Sequence, residues 1–180
     1  MISHEDNCIF VHQRKCAGSS IMRTLNVAFG TPEWDFMKDG VLSPEYATAP
    51  AGYFKFAVVR NPWDRFVSGW KYCKSTRERK LQEVLANLPL EGHDYRHLTR
   101  PQHATLFDDR GEIIIDYLIR FEQLQEGFDV ACDLIGKPRC SLPQRNRGAR
   151  GHYRDYFDAE SRRSFLRHFA KDVELFGYEY

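Results

Sequence analysis

Neither charge sign dominates this sequence. Its 180 residues carry 26 Lys and Arg against 25 Asp and Glu, a formal net charge of +1. That balance excludes a polycation that coats nucleic acid through total charge. No apolar run approaches 18 residues, so no membrane-spanning helix is expected. The opening MISHEDNCIFVH contains acids and no long apolar stretch, so it does not read as a signal peptide. The five cysteines (8, 16, 73, 132 and 140) are odd in number, scattered, and free of any C-x-x-C. A disulfide framework or a zinc ribbon is not indicated. N-x-[ST] acceptors, internal repeats and low-complexity linkers are also missing. A reducing, cytoplasmic setting is expected.

What is present is ordinary globular material, 42% apolar and 28% charged, which excludes disorder, collagen and a coiled coil. At roughly 150 residues per domain the length predicts a single domain over 1–180. Residues 7–12 (NCIFVH), 53–59 (YFKFAVV) and 113–119 (IIIDYLI) are short apolar runs that read as buried strands. Helices are predicted over 19–29, capped by Ser19 or Ser20 and closed by Gly30, and from Pro62 to about Lys74. Others are predicted over 76–87, over 122–135 closed by Gly136, and over 158–171 opened by Asp158 with Ser161 behind it. Residues 30–52, 88–111 and 137–157 read as irregular. Strands alternating with helices predict an α/β fold with a parallel sheet.

Two strand-to-helix junctions carry basic residues. In CIFVHQRKCAGSSIMRTL the turn Gln13–Ser20 holds Arg14, Lys15, a glycine and two hydroxyls. N–H groups at a helix start face outward at the positive end of the helix dipole, and Gly18 permits close approach of a ligand. A phosphate cradle is the functional reading, and an ordinary capped turn is the bland one. The order is not G-x-x-x-x-G-K-[ST], because Lys15 precedes the glycine, so nucleoside kinase chemistry is disfavoured. Cys16 lacks a His/Asn arrangement that would mark a nucleophile and reads as a loop residue. In YFKFAVVRNPWDRFVSGW, Arg60 follows a strand and Ser68 lies on the next helix. In open α/β sheets ligands bind beyond the carboxyl ends of strands. If the two strands are neighbours, Lys15 and Arg60 can serve two phosphates of one ligand. Asp64 and Arg65 read as helix-surface or pairing residues.

These segments resemble the sulfotransferases. FVHQRKCAGSSI is similar to the 5′-phosphosulfate loop in its carbohydrate-sulfotransferase form, F-x-H-x-P-K-[TA]-[AG]-[GS]-[TS]-S. FAVVRNPWDRFVSGW is similar to the 3′-phosphate motif, R-[ND]-P-x-x-R-x-x-S-x-[YW]. LIRFEQL and the C-terminal stretch from Tyr153 also resemble the family, so the likeness covers most of the chain. The resemblance implies a P-loop-like three-layer fold with a small central parallel sheet flanked by helices. It implies 3′-phosphoadenosine 5′-phosphosulfate (PAPS) as donor, PAP as product, no metal, and sulfuryl transfer to an acceptor hydroxyl, on a carbohydrate or related small molecule. Lys15 would contact the 5′-phosphate and the bridging oxygen, and Arg14, Cys16, Ala17, Gly18, Ser19 and Ser20 would complete that end. Arg60 and Ser68 would hold the 3′-phosphate. Sulfuryl transfer needs in-line positioning and charge stabilisation on the leaving oxygen, which such groups supply.

Two departures stand out. Gln13-Arg14 replaces the usual hydrophobic-Pro pair, and residues 16–59 contain no histidine where several relatives carry the base. Glu33, Asp35 and His103 are the candidate bases, each also readable as an ordinary surface or hydrogen-bonded residue. The stretch 137–154 holds six Lys/Arg and no acid, leaving 20 basic against 25 acidic residues elsewhere. It reads either as a solvated face or as a lid over the donor through Arg145, Arg147 and Arg150. No interleaved aromatics favour nucleic acid there. His93 and His97 lie at i, i+4, but in a segment that reads as irregular, so no zinc pair is inferred. A module that binds PAP or a nucleotide without catalysis is the alternative to the enzyme.

Overall fold

The computed structural model describes residues 1–28, 52–143 and 151–180, with side chains up to 25 in the first stretch. Its elements are β1 (Ile2–Ser3), β2 (Cys8–Val11), α1 (Gly18–Ala28), β3 (Phe54–Val59), α2 (Pro62–Tyr72), α3 (Leu81–Ala86), β4 (Tyr117–Arg120), α4 (Leu124–Leu134) and α5 (Ala159–Leu175). Single helical turns lie at Gly92–Asp94, Tyr95–Thr99, His103–Thr105, Phe121–Gln123 and Tyr153–Tyr156. The fold is mixed α/β. Two compact units make it up, Met1–Val59 with Thr105–Arg147, and Arg60–Ala104 with Gly148–Tyr180. The predicted loop 30–52, its Gly30 helix stop and the acids Glu33 and Asp35 lie outside the described residues, as do Arg145, Arg147 and Arg150. No helix among the described residues is long and apolar enough to cross a membrane.

The first unit is built on a four-stranded sheet of order β1-β2-β3-β4. β2, β3 and β4 run parallel, and β1 adds antiparallel to β2. Along β2 and β3, Cys8, Phe10, Phe56 and Val58 pack with Ile21 and Leu25 of α1 and Phe128, Ala131 and Cys132 of α4. The register sets Phe10 opposite Phe56, with ring centroids 5.1 Å apart. The alternate residues Ile9, Val11, Ala57 and Val59 are buried as well. Burial on both faces explains why these strands read as unbroken apolar runs.

The third parallel strand starts later than the run IIIDYLI suggests. Phe107 pairs with Ile113 in an isolated antiparallel bridge, and Ile114 N donates to Leu106 O at 3.0 Å. A turn at Asp108–Gly111 drives this, because Asp108 Oδ1 accepts from the backbone N–H groups of Arg110 and Glu112. The isoleucines therefore close that hairpin, and the parallel ladder begins at Tyr117.

In the second unit, Pro62 occupies the first turn of α2, and the Asn61 side chain accepts from Trp63 N and Asp64 N. Trp63 stacks on Phe165 of α5 at 4.0 Å, and Phe66, Trp70, Leu85, Leu98 and Phe169 complete the cluster. α5 opens with the expected capping box. Asp158 accepts from Ser161 N, Ser161 Oγ bonds back, and these contacts hold the Asp158 carboxyl down at about 2. α3 is shorter than predicted, because Thr76 Oγ1 donates to Trp70 O and Trp70 Nε1 donates to Arg79 O, which keeps residues 74–79 in turns. Residues 88–111, expected to be irregular, contain three helical turns. Leu98 is fully buried, and His97 stacks on Tyr72 at 4.9 Å, so tertiary contacts hold a segment of weak local propensity.

The packing of α4 on β4 is tight at one point. A Cβ on Gly127 would fall 2.6 Å from Ile119 Cγ2, in a side chain only 1% exposed. Gly127→Ala is expected to lower stability by about 1–3 kcal/mol. An unchanged urea midpoint in that variant would refute this reading of the contact.

Candidate functional site

In the first unit, β2 and β3 are adjacent and parallel, so the neighbour condition on the two strands is met. The segment after β2 makes a turn of unusual backbone. Lys15 (φ 67°) and Ala17 (φ 58°) are both left-handed, while Cys16 between them is not. Alternating hand turns successive N–H groups toward a common point, the geometry of an anion-binding nest. Such conformations persist only where the surroundings enforce them. Here Cys16 is 1% exposed, lies in the sheet core, and directs its thiol to Arg14 O. It serves as an anchor, and its backbone N–H donates to Gln13 O at 3.4 Å within the turn.

α1 begins at Gly18, ahead of both serines, so neither occupies the N-cap position expected for it. Ser19 is exposed. Ser20 is buried, and its Oγ donates to Pro143 O at 3.0 Å, tying the helix to the approach of the basic stretch. Gly18 meets a steric requirement: a Cβ there would sit within the His12 imidazole. His12 is half-buried, and burial together with the charge of Arg14 lowers its pKa from 6.5 to about 4. The ring is neutral at pH 7, which suits a position against the turn. Gln13, one of the two departures from the family pattern, is 5% exposed and donates from Nε2 to Thr105 Oγ1. It fixes the turn to a segment 92 residues away, and no signal in the sequence marks it.

In the described part of the basic stretch, Lys137 Nζ lies 2.8 Å from Asp6 and Arg139 NH2 lies 2.6 Å from Asp133. Two of its charges are thus matched by acids. Burial pushes the thiols of Cys8 and Cys132 up to about 12, which suits neither to nucleophilic work at neutral pH.

In the second unit, Arg60 immediately follows β3 and is 6% exposed. Its Nε and NH2 both donate to Asp64 Oδ2, at 2.8 and 2.6 Å. Ser68 is half-buried one turn beyond Asp64 on α2, so Ser68 shares a helix face with the partner of Arg60. Asp64 is a pairing residue, as expected. Arg65 is 2% exposed and braces Arg100 O, at 2.7 Å.

The backbone of Arg60 is clamped by Gln102. Arg60 N donates to Gln102 Oε1 and Gln102 Nε2 donates to Arg60 O, both at 2.9 Å. Gln102 is in turn held by Asp172, a fully buried carboxylate that accepts from Gln102 N at 2.7 Å and His103 N at 3.0 Å. His103 Nδ1 lies 2.6 Å from Asp172 Oδ1. A carboxylate only accepts, so Nδ1 carries the proton and Nε2 is left as the basic atom. The signal for Asp172 was available in the sequence: it sits on the stripe Phe165, Phe169, Phe176 as the one acid on an apolar face.

The buried histidine predicts a pH dependence. With a folded-state pKa of about 4 and an unfolded value near 6.5, the unfolded chain binds the proton first. His12 therefore contributes stability fully above pH 6.5, and about 3 kcal/mol is lost as pH falls through 4. Urea midpoints between pH 7 and 4 should fall less steeply in His12→Gln; parallel slopes would contradict the assignment. Gly18→Ala should displace His12 and distort the turn, seen as loss of anion binding by calorimetry in a chain that remains folded.

Neither a curated protein nor a solved structure matches this chain. A model of the family described as the sulfotransferase family matches residues 1–179. A match over that span, on a chain with the cradle after β2 and the arginine after β3, places it: the protein belongs to the sulfotransferase family.

Proposed function

We propose that the chain transfers a sulfuryl group from PAPS to an acceptor hydroxyl on a carbohydrate or related small molecule. The observation that carries this reading is the left-handed turn Lys15–Ala17 directly before α1, with a glycine that a larger residue cannot replace. That cradle fits a 5′-phosphosulfate. Arg60 and Ser68, with Asp64 aligning the guanidinium between them, fit a 3′-phosphate. The assignment of both ends to one donor rests on the order of the two motifs, and a P-loop-like fold is the frame they imply. A cytoplasmic setting agrees with five cysteines carried as thiols.

Sulfuryl transfer breaks the bond between sulfur and the phosphate oxygen and forms one to the acceptor oxygen. Lys15 neutralises charge at the bridging oxygen, and the N–H groups of the turn hold the phosphate in place. The acceptor's proton needs a base. Among the described candidates, His103 offers an oriented imidazole with Nε2 as acceptor, and Asp172 is the positioning residue that holds its tautomer.

Calorimetry with PAP and transfer from labelled PAPS across an acceptor panel test the proposal. Lys15→Ala should lose roughly 10²–10³ in rate, the typical cost of one such stabilising group. His103→Ala should lose about 10²–10⁴ in kcat with PAP affinity retained. PAP binding without turnover in the parent chain would favour the non-catalytic module. Absence of both would overturn the reading. Full activity in His103→Ala would return the base to Glu33 or Asp35.

A further inference from the structure

The second unit also holds a group of side chains that the sulfotransferase reading does not use. Cys73 directly follows α2 and is 1% exposed. His93 and Asp94 lie in the helical turn Gly92–Asp94. A sulfur of Cys73, a ring nitrogen of His93 and a carboxylate oxygen of Asp94 all lie within 4.8 Å of one another. His93 Nδ1 and Asp94 Oδ1 are 3.1 Å apart. We propose that Cys73, His93 and Asp94 form a zinc site with a water as fourth ligand.

The donor set selects the metal. Thiolate, imidazole and carboxylate together suit a borderline dication such as Zn²⁺, whereas Mg²⁺ and Ca²⁺ take six or more oxygens. Binding forms a zinc–sulfur bond and releases the Cys73 thiol proton to solvent. The thiolate and the carboxylate then match the two charges of the ion. In a tetrahedral site, bonds of about 2.0–2.3 Å put ligand atoms roughly 3.3–3.8 Å apart. The nitrogen–oxygen distance is already close to that range. The His93 side chain is 54% exposed, so its ring can tilt within its stack on His97 to complete the remaining adjustment.

The surroundings orient the ligands as outer-shell groups do in zinc proteins. Ser75 Oγ donates to Asp94 Oδ2, the oxygen not turned toward His93. The His93 ring stacks on His97 at 4.3 Å and on Tyr72 at 6.0 Å, and His97 stacks on Tyr72. The ion would staple the end of α2 to the helical turns at 92–99, closing the intervening stretch that contains α3. It takes no part in sulfuryl transfer, so its presence and the transferase activity are tested separately.

The full chain, stripped with a chelator, is titrated with Co²⁺ as a spectroscopic probe. One equivalent should bind with a thiolate-to-cobalt charge-transfer band, and Zn²⁺ should displace it. Cys73→Ser should abolish the band while Cys140→Ser retains it. His93→Ala, at an exposed position, should fold and bind Zn²⁺ at least about tenfold more weakly. Zn²⁺ at a hundredfold excess over Kd should raise Tm of the parent chain by roughly 5–10 °C. No charge-transfer band, a band that survives Cys73→Ser, or unchanged Zn²⁺ affinity in His93→Ala would each overturn the site.

Discussion

A carboxylate buried without donors costs several kcal/mol, and Asp172 is buried completely. Its solution is three N–H groups from two consecutive residues, Gln102 N, His103 N and His103 Nδ1. Much of the second unit's chemistry depends on that solution. Because Asp172 fixes the backbone at 102–103, the Gln102 side chain is positioned to bond both the N–H and the carbonyl of Arg60. The same carboxylate orients the His103 ring. One acid on the aromatic stripe of α5 thereby sets the start of α2 and the orientation of the candidate base His103.

The first unit solves a different problem. Its turn after β2 must hold N–H groups pointing outward at Lys15–Gly18, a backbone that L-residues adopt reluctantly. Packing and hydrogen bonding together enforce it, with Cys16 sunk in the core on one side, His12 against Gly18 on the other, and Gln13 bonded to Thr105. His12 accepts a lowered pKa as the consequence. Stability at low pH is thus coupled to the shape of the turn after β2 through one imidazole.

What could be read from the sequence divides along the range of the interactions involved. The parallel strands β2 and β3 were legible, because burial on both faces leaves continuous apolar runs. So was α5, whose start is written in Asp158 and Ser161 within three residues of each other. That Lys15 precedes α1, that Arg60 follows β3 and that Ser68 lies on α2 was legible through motifs confined to short windows. The start of β4 was not, because Ile113–Ile115 are apolar for the sake of a hairpin closed by Asp108. The helical turns at 92–105 were hidden for the same reason: Leu98 and the ring of Tyr72, not local propensity, hold them. Gln13 and Gln102 act on partners 92 and 42 residues away, and a glutamine gives no local sign of such a partner.

The two serines at the start of α1 show how the same residue type takes different work within one turn. Had the helix begun at Ser20, its hydroxyl would have been used as a cap. With the helix starting at Gly18, Ser20 falls on the inner side and its Oγ reaches Pro143 O, within the stretch 137–154. Ser19 is left exposed beside the nest. The cradle and the approach to the basic stretch therefore share an attachment point. The charges nearer α4, Lys137 and Arg139, are held by Asp6 and Asp133. The near-neutral sum of the whole chain conceals this arrangement, in which two of the six cations of the stretch, Lys137 and Arg139, are paired with acids.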